Sequence, residues 1–470
     1  MGQRKRDVAP RVGRARMAEF KRAMGLGGAT LLGIGALVGA GIFVLSGRAI
    51  AIVGPAAILA YLVMAVVSLL TAFCYCELSA AIPKAGGGYT FAQVASPGLY
   101  GFATGWLLWI GGVAACATFA LAFSDALTPF FSVPWYPALA IPVVVLFSLI
   151  NYRGIKGTSR AQNLMTLSLL GLLFLVILAS VPRIKLEHYT PFLSQGRPLD
   201  LLYVMGFIYL CYVGFELISP ASEEIVEPER TIPRAIMITL AVGTFFFLAT
   251  VAAMVGVAGH QGIKAVVGEE AAASGLALVE VARLSLLGRY GALVVAVAFI
   301  AATLSSLNAY ILAASHVFHA LGRDANFPRL FGLLDERKGT PVSGIFITMA
   351  VTIALVLLNS IEVVAGIADF SYLVGLAMVN ASVILLRRKE PDLKRPCKVP
   401  GYPWVAILAV ITSAGVAPFL SLDSILYGVG ASLAGVGVYI LRRKGILSSR
   451  RLKRLERRSE ELLDDLRRRR

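Results

Sequence analysis

Charged residues are scarce in this 470-residue sequence: Asp, Glu, Lys and Arg make up 15% of it, where a soluble domain carries about 25%. With 57% apolar residues and a mean hydropathy of +0.77, the sequence excludes a soluble enzyme, a secreted disulfide scaffold and a disordered protein. Cysteine is also scarce. Cys74, Cys76, Cys116, Cys211 and Cys397 form no CxxC pair, and Cys74 and Cys76 point about 200° apart on a helix, so all five read as free, inert thiols. Of the four histidines, His316 and His319 are three apart on one helix face, but no third ligand stands nearby, so no metal site is expected. No Ser/His pair, HExxH or paired aspartates share one depth, and no P-loop lysine follows Gly86-Gly87-Gly88. The chain is therefore expected to be no enzyme and to need no cofactor.

Long apolar runs are what the sequence has in abundance. Twelve of them lie between charged or Pro/Gly joints, starting near Gly27, Pro55, Gly98, Trp135, Asn163, Leu201, Ile232, Gly288, Pro341, Glu362, Tyr402 and Ser424. Each is long enough to cross about 30 Å of hydrocarbon at 1.5 Å per residue. The reading is an all-α integral membrane protein with twelve transmembrane helices.

The net charge of +17 would suggest nucleic acid if it formed one face of a globule, but the 44 basic residues lie in joints and tails. With the N-terminus inside, 37 of them fall in inside segments. Only Arg48, Arg183, Lys185, Arg197, Lys264, Arg283 and Arg289 fall outside, which predicts a multi-pass cell-membrane protein with both termini cytoplasmic. No nucleic-acid partner and no cleavable signal peptide are expected. The tail from Ser448 carries Leu452, Leu455, Leu462 and Leu466 at helical spacing amid Arg and Glu. It reads as a solvated topogenic tail or as an interfacial helix drawn to anionic lipid. Oligomeric state is not legible.

The first run places Gly33, Gly35, Gly39 and Gly41 near mid-membrane. One reading is close helix packing through Gly35-xxx-Gly39. The other is a helix broken at Gly39 to Gly41, freeing N–H groups at the start of its second half and carbonyls at the end of its first. Such backbone survives at this depth only around a protein-lined site. Freed N–H groups bind carboxylate and freed carbonyls bind ammonium, so a break suits the two ends of an α-amino acid. The sixth run holds a second irregular stretch, Leu210-Cys-Tyr-Val-Gly214-Phe-Glu216, followed by Pro220 and Glu223-Glu224. Interrupted segments at matching places of two halves mark a transporter's binding site.

These residues resemble a known family. Gly39-Ala-Gly-Ile-Phe43, Cys76-Glu-Leu78, Ile82-Pro-Lys-Ala-Gly-Gly-Gly-Tyr89, Tyr212-Val-Gly-Phe215 with Glu223-Glu224, and Arg387-Arg-Lys-Glu-Pro-Asp392 through Val399-Pro-Gly-Tyr-Pro403 look like an amino acid permease of the amino acid-polyamine-organocation (APC) superfamily. The resemblance covers residues about 25 to 445. It implies the leucine-transporter fold: an inverted five-plus-five repeat with broken helices 1 and 6, two extra C-terminal helices, and alternating access. The organisation it implies is a basic N-terminal tail at 1–24, repeats at 25–182 and 198–390, two further helices at 400–444, and a basic tail at 445–470.

The resemblance also implies the site. The substrate carboxylate would meet the N–H groups of Ala40, Gly41 and Ile42, and the ammonium the carbonyls of Leu37, Leu210 and Val213, with Gly39, Tyr212 and Gly214 completing the breaks. A sodium ion, as in sodium-linked relatives, would sit on carbonyls of Gly35 and Val38 and hydroxyls of Ser305 and Ser306. Two serines in an apolar helix also bond readily to their own i−4 carbonyls. Proton-linked relatives carry a fifth-span lysine there; here Ser168 and Leu169 stand in the matching region, so sodium, proton, exchange and facilitation all stay open.

Three carboxylates carry open readings. Glu216 pairs across the bundle or serves gating or proton sensing, Glu77 caps a backbone break or reaches the interface, and Asp369 serves an outer gate or is solvated. Tyr209, Tyr212 and Phe215 form a lid over the ligand or pack. The expected function is amino acid transport. The alternatives are a polyamine or organic amine transporter, or a non-transporting membrane sensor or partner subunit of the same fold.

Overall fold

A computed structural model describes residues 22–443 except 128–136, 194–197, 268–275, 325–328, 333 and 336–338. Most of both basic tails, the Leu452 to Leu466 stretch and the Trp135 start of the fourth run lie outside the described residues. The expected all-helical class holds: the described residues contain fifteen α-helices and no strand, only an isolated parallel bridge between Met24 and Ile225.

In chain order the helices are α1 (Leu26–Leu37), α2 (Ala40–Val53), α3 (Ala57–Ala81), α4 (Gly88–Ala95), α5 (Leu99–Leu127), α6 (Pro137–Tyr152), α7 (Ile155–Ser180) and α8 (Pro198–Ile208). Two 3-10 segments follow, Tyr209–Tyr212 and Phe215–Glu224. Then come α9 (Pro228–Val267), α10 (Leu276–Leu284), α11 (Gly291–Arg323), α12 (Val342–Val356), α13 (Ile361–Lys389), α14 (Trp404–Val416) and α15 (Leu422–Arg443).

Seven segments are long and apolar enough to cross a membrane, from Leu26–Ala81 to Leu422–Arg443, and four shorter apolar helices stand beside them. In hydrocarbon each backbone N–H and C=O must be satisfied within the chain, which is why Leu-, Val- and Ala-rich runs become helices here. Hydropathy does not foresee α4 or α10. At eight and nine residues they are roughly 12 and 14 Å long, too short to cross.

Burial sorts the helices. The most apolar window of α5 is 89% buried and that of α15 only 11%, so α5 runs through the centre and α15 lies at the edge with Leu422, Leu426 and Leu433 outward. Helix α13 starts on a Ser360 cap, whose hydroxyl accepts from the Val363 N–H at 3.3 Å, and ends in Arg387-Arg388-Lys389 at the negative end of its dipole. The central space belongs to α1, α2 and the irregular segment after α8, packed among α3, α5, α7, α9 and α11.

Candidate functional site at two broken helices

The first break lies at Val38 and Gly39, slightly earlier than the Gly39 to Gly41 reading; Gly41 belongs to the first turn of α2. Val38 has left the helical region at φ −83° and ψ 65°, and Gly39 is extended. The first turn of α2, with the N–H groups of Ala40, Gly41 and Ile42, therefore begins at the break, where helix geometry leaves them without intrahelical partners. The packing reading of the glycines holds as well. A Cβ on Gly35 would strike Gln162, Thr166 and Ser305, and one on Gly39 would meet Ser306 and, at 3.3 Å, Phe119.

The second break lies at Val213 and Gly214, between the two 3-10 segments. Gly214 has φ 148° and ψ −32°, a conformation that favours glycine, and a Cβ there would lie 2.6 Å from the Leu37 nitrogen. Its N–H donates to the Glu216 Oε2 at 2.7 Å. Glu216 thus turns back on its own break and does not pair across the bundle. The ten-residue 3-10 run with Pro220 inside it is far longer than the usual three or four residues, the mark of a hinge.

Around the first break the two serines bond across helices, not to their own turns. The Ser306 hydroxyl donates to the Gly35 carbonyl at 2.9 Å. Ser305 accepts from Gln162 Nε2 at 2.8 Å and shares a 2.9 Å bond with Thr166, which donates to the Leu31 carbonyl at 3.2 Å. Gln162 and Thr166, up to about two turns before the expected Ser168 and Leu169, are what α7 turns toward Gly35; Ser168 faces outward. The chain of bonds continues: Asn308 Nδ2 donates to Gln162 Oε1 at 2.8 Å, and Asn151 Nδ2 to Asn308 Oδ1 at 2.9 Å. Because Asn151 Nδ2 also donates to the Phe147 carbonyl at 2.8 Å, each amide in the series has a fixed orientation and Gln162 presents its NH₂.

The aromatic residues of the sixth run pack. Tyr212 joins Tyr61 and Phe247 at centroid distances of 6.3 and 5.1 Å, with its hydroxyl on the Tyr61 carbonyl at 2.8 Å. Phe215 meets Tyr75 edge-on at 6.1 Å. The aromatic group that reaches the break is Tyr310 of α11, which the sequence reading missed; its hydroxyl donates to the Val213 carbonyl at 3.2 Å, and Phe119 and Tyr372 flank its ring. Nothing in a run of Leu-Asn-Ala-Tyr singles it out beforehand.

At one end of the bundle the chain is tied shut. Ala23 and Met24 donate to the Glu224 carbonyl at 2.9 and 3.0 Å, and Arg323 bridges Glu223 at 3.1 Å to the Ala85 carbonyl at 3.3 Å. His316 lies 3.7 Å from Glu224. Glu77, 2% exposed, takes a bidentate bond from Arg387, a 3.3 Å contact from Arg395 and the Val399 N–H at 2.7 Å. It thereby clamps the 390–403 connector to the end of α3 and caps its backbone. The five cysteines are free.

Apolar segments long enough to cross a bilayer, with two backbone breaks that meet inside the bundle, define a multi-pass membrane protein of the transporter class. A sequence profile of the amino acid permeases matches residues 24–439, and the chain belongs to that family, within the APC superfamily. It is 27% identical over 399 residues to the methylthioribose transporter of Bacillus subtilis, covering 81% of this chain and 84% of that one. It is 25% identical to the branched-chain amino acid permease BcaP of the same organism (83% and 86% covered). It is also 28% identical to the cystine/glutamate transporter of Pongo abelii (81% and 76% covered).

Proposed function

We propose that the chain is a secondary transporter that moves amino acids across the cell membrane by alternating access, holding the substrate backbone at the breaks of its first and sixth spans. The observation that carries this is the meeting of the breaks, where Gly214 lies against Leu37; in this reading the N–H groups that open α2 and the carbonyls of Leu37, Leu210 and Val213 border one space. A carboxylate suits the first set and an ammonium the second. Glu216, placed at the hinge, serves the gating of that space.

In this reading the helices make twelve crossings, with repeats at 25–182 and 198–390 and two further crossings at 400–444. The tied end, rich in Arg323, Arg387 and Arg395, faces the cytoplasm, as do both basic tails, which sit against anionic lipid. At Gly35, Ser305 and Ser306 the Gln162 amide presents its NH₂, a donor where a sodium ion would need oxygen acceptors, which favours exchange or facilitation. A second substrate class comes from the relative named as a methylthioribose transporter, but that molecule has neither carboxylate nor ammonium and would leave both sets unused.

Reconstitution of the full chain in proteoliposomes tests the proposal. Labelled amino acids should enter, and Gly41→Ile should abolish entry by filling the first turn of α2 beside Cys211. Undiminished uptake in that variant would mean the site lies elsewhere, and no uptake of any solute would leave a sensor or partner subunit.

A further inference from the structure

Two buried carboxylates of the membrane-spanning part, Glu216 and Asp369, have no ion-pair partner among the described residues. Glu216 is 3% exposed, and while its Oε2 is bonded to Gly214, its Oε1 accepts no hydrogen bond. That carboxylate lines a cavity walled by Tyr75, Gly88, Leu108, Leu217 and Tyr372. Asp369 is 8% exposed and its Oδ1 likewise accepts none.

The two groups approach the same aromatic residues. Asp369 and Tyr372 are three residues apart on α13 and so share a face. Tyr372 borders the Glu216 cavity, and its ring lies 6.0 Å from that of Tyr310, whose hydroxyl holds the Val213 carbonyl of the break. Tyr209 and Tyr310 each interact electrostatically with both carboxylates, and Cys211, which packs on Gly41, interacts with Asp369. The basic residues Arg323, Arg387 and Arg395 are engaged at the tied end with Glu223 and Glu77.

A carboxylate in a membrane interior is retained where something pairs with it. Where the protein supplies no partner, such a group either stays protonated and neutral or takes positive charge and N–H donors from a ligand. We infer that the substrate carries a cationic distal group, an ammonium or guanidinium, which Asp369 and Glu216 receive while the two breaks hold its α-carboxylate and α-ammonium. This rests on the amino acid reading above and adds the side-chain class, which main-chain contacts do not select. A neutral apolar side chain would leave both oxygens unsatisfied.

The test is uptake of labelled lysine, arginine, leucine and methionine into proteoliposomes holding the full chain, with Asp369→Asn and Asp369→Glu beside the unchanged protein. Lysine or arginine should enter and unlabelled leucine should not compete. Asp369→Asn should lower cationic uptake at low substrate by roughly 30-fold or more, the loss expected when one partner of a buried charge pair is removed. Asp369→Glu should restore part of it. Entry of leucine or methionine with exclusion of lysine and arginine overturns the inference and leaves the amino acid reading intact; entry of none of the four overturns the inference, and the amino acid reading falls with it only if the remaining amino acids are excluded as well. Melting curves separate a misfolded variant from an inactive one, and the profile of the unchanged protein decides the matter without any variant.

Discussion

Gly214 and Leu37 stand backbone against backbone: a Cβ on Gly214 would lie 2.6 Å from the Leu37 nitrogen and 2.8 Å from the Ala36 carbonyl carbon. This contact brings the two broken helices to one point. Its partner atoms are main-chain and cannot rotate away as a side chain would.

Gly214→Ala should therefore damage the protein twice. An L-residue at positive φ costs about 1–2 kcal/mol, and overpacking adds about 1–3 kcal/mol. The expected result is a lower melting temperature and loss of uptake; an alanine variant that transports normally would show that the breaks do not meet in the working protein.

Gln162 fixes the corner behind the first break. Gln162→Ala leaves Asn308 Nδ2 without its partner and Ser305 with Thr166 alone, a penalty of about 1–3 kcal/mol. It also opens an oxygen-lined space beside the Leu31 and Gly35 carbonyls. The unchanged protein should melt and transport alike in sodium and potassium, while the alanine variant should gain a sodium-dependent rise in melting temperature. Sodium dependence of the unchanged protein would refute the account.

Tyr310 spends its hydroxyl on the Val213 carbonyl, the group assigned to the substrate ammonium. Tyr310→Phe should lower stability by about 1 kcal/mol and, by freeing that carbonyl, tighten substrate binding about fivefold. A ligand titration followed by thermal shift reads both effects, and weaker binding in the phenylalanine variant would place the ammonium elsewhere.

The Glu77 cluster makes a prediction about stability alone. Glu77→Ala leaves Arg387 and the Val399 N–H without their acceptor and should cost about 3–5 kcal/mol, seen as a large fall in melting temperature. Adding Arg387→Ala should then cost little more, because the two residues act as one unit. Additive losses would show that each side chain acts alone.

Much of this molecule is written in its residues one after another. Apolar runs of about 20 residues settle membrane residence and helix, since hydrocarbon leaves the backbone no other partner. Glycines at 33, 35, 39 and 41, and Gly214 with Pro220, mark both interruptions to within about two residues, because only such residues tolerate the backbone and close packing found there. The buried Glu77 was visible as an intramembrane carboxylate, though its partners Arg387, Arg395 and Val399 lie some 310 residues away.

Which face each helix turns inward was decided only by tertiary packing. Helices α7 and α11 are apolar through most of their circumference, so periodicity does not fix their rotation, and at about 100° per residue a small error exchanges one face for another. That is why Gln162 and Thr166, not Ser168 and Leu169, meet Gly35, and why Tyr310 reaches the break where Tyr209 and Tyr212 were the visible candidates. The sequence determined that this chain is a helical membrane protein broken in two places. Contacts between residues distant in the chain decided which polar groups surround the breaks, because each buried donor there takes the acceptor that packing sets within reach.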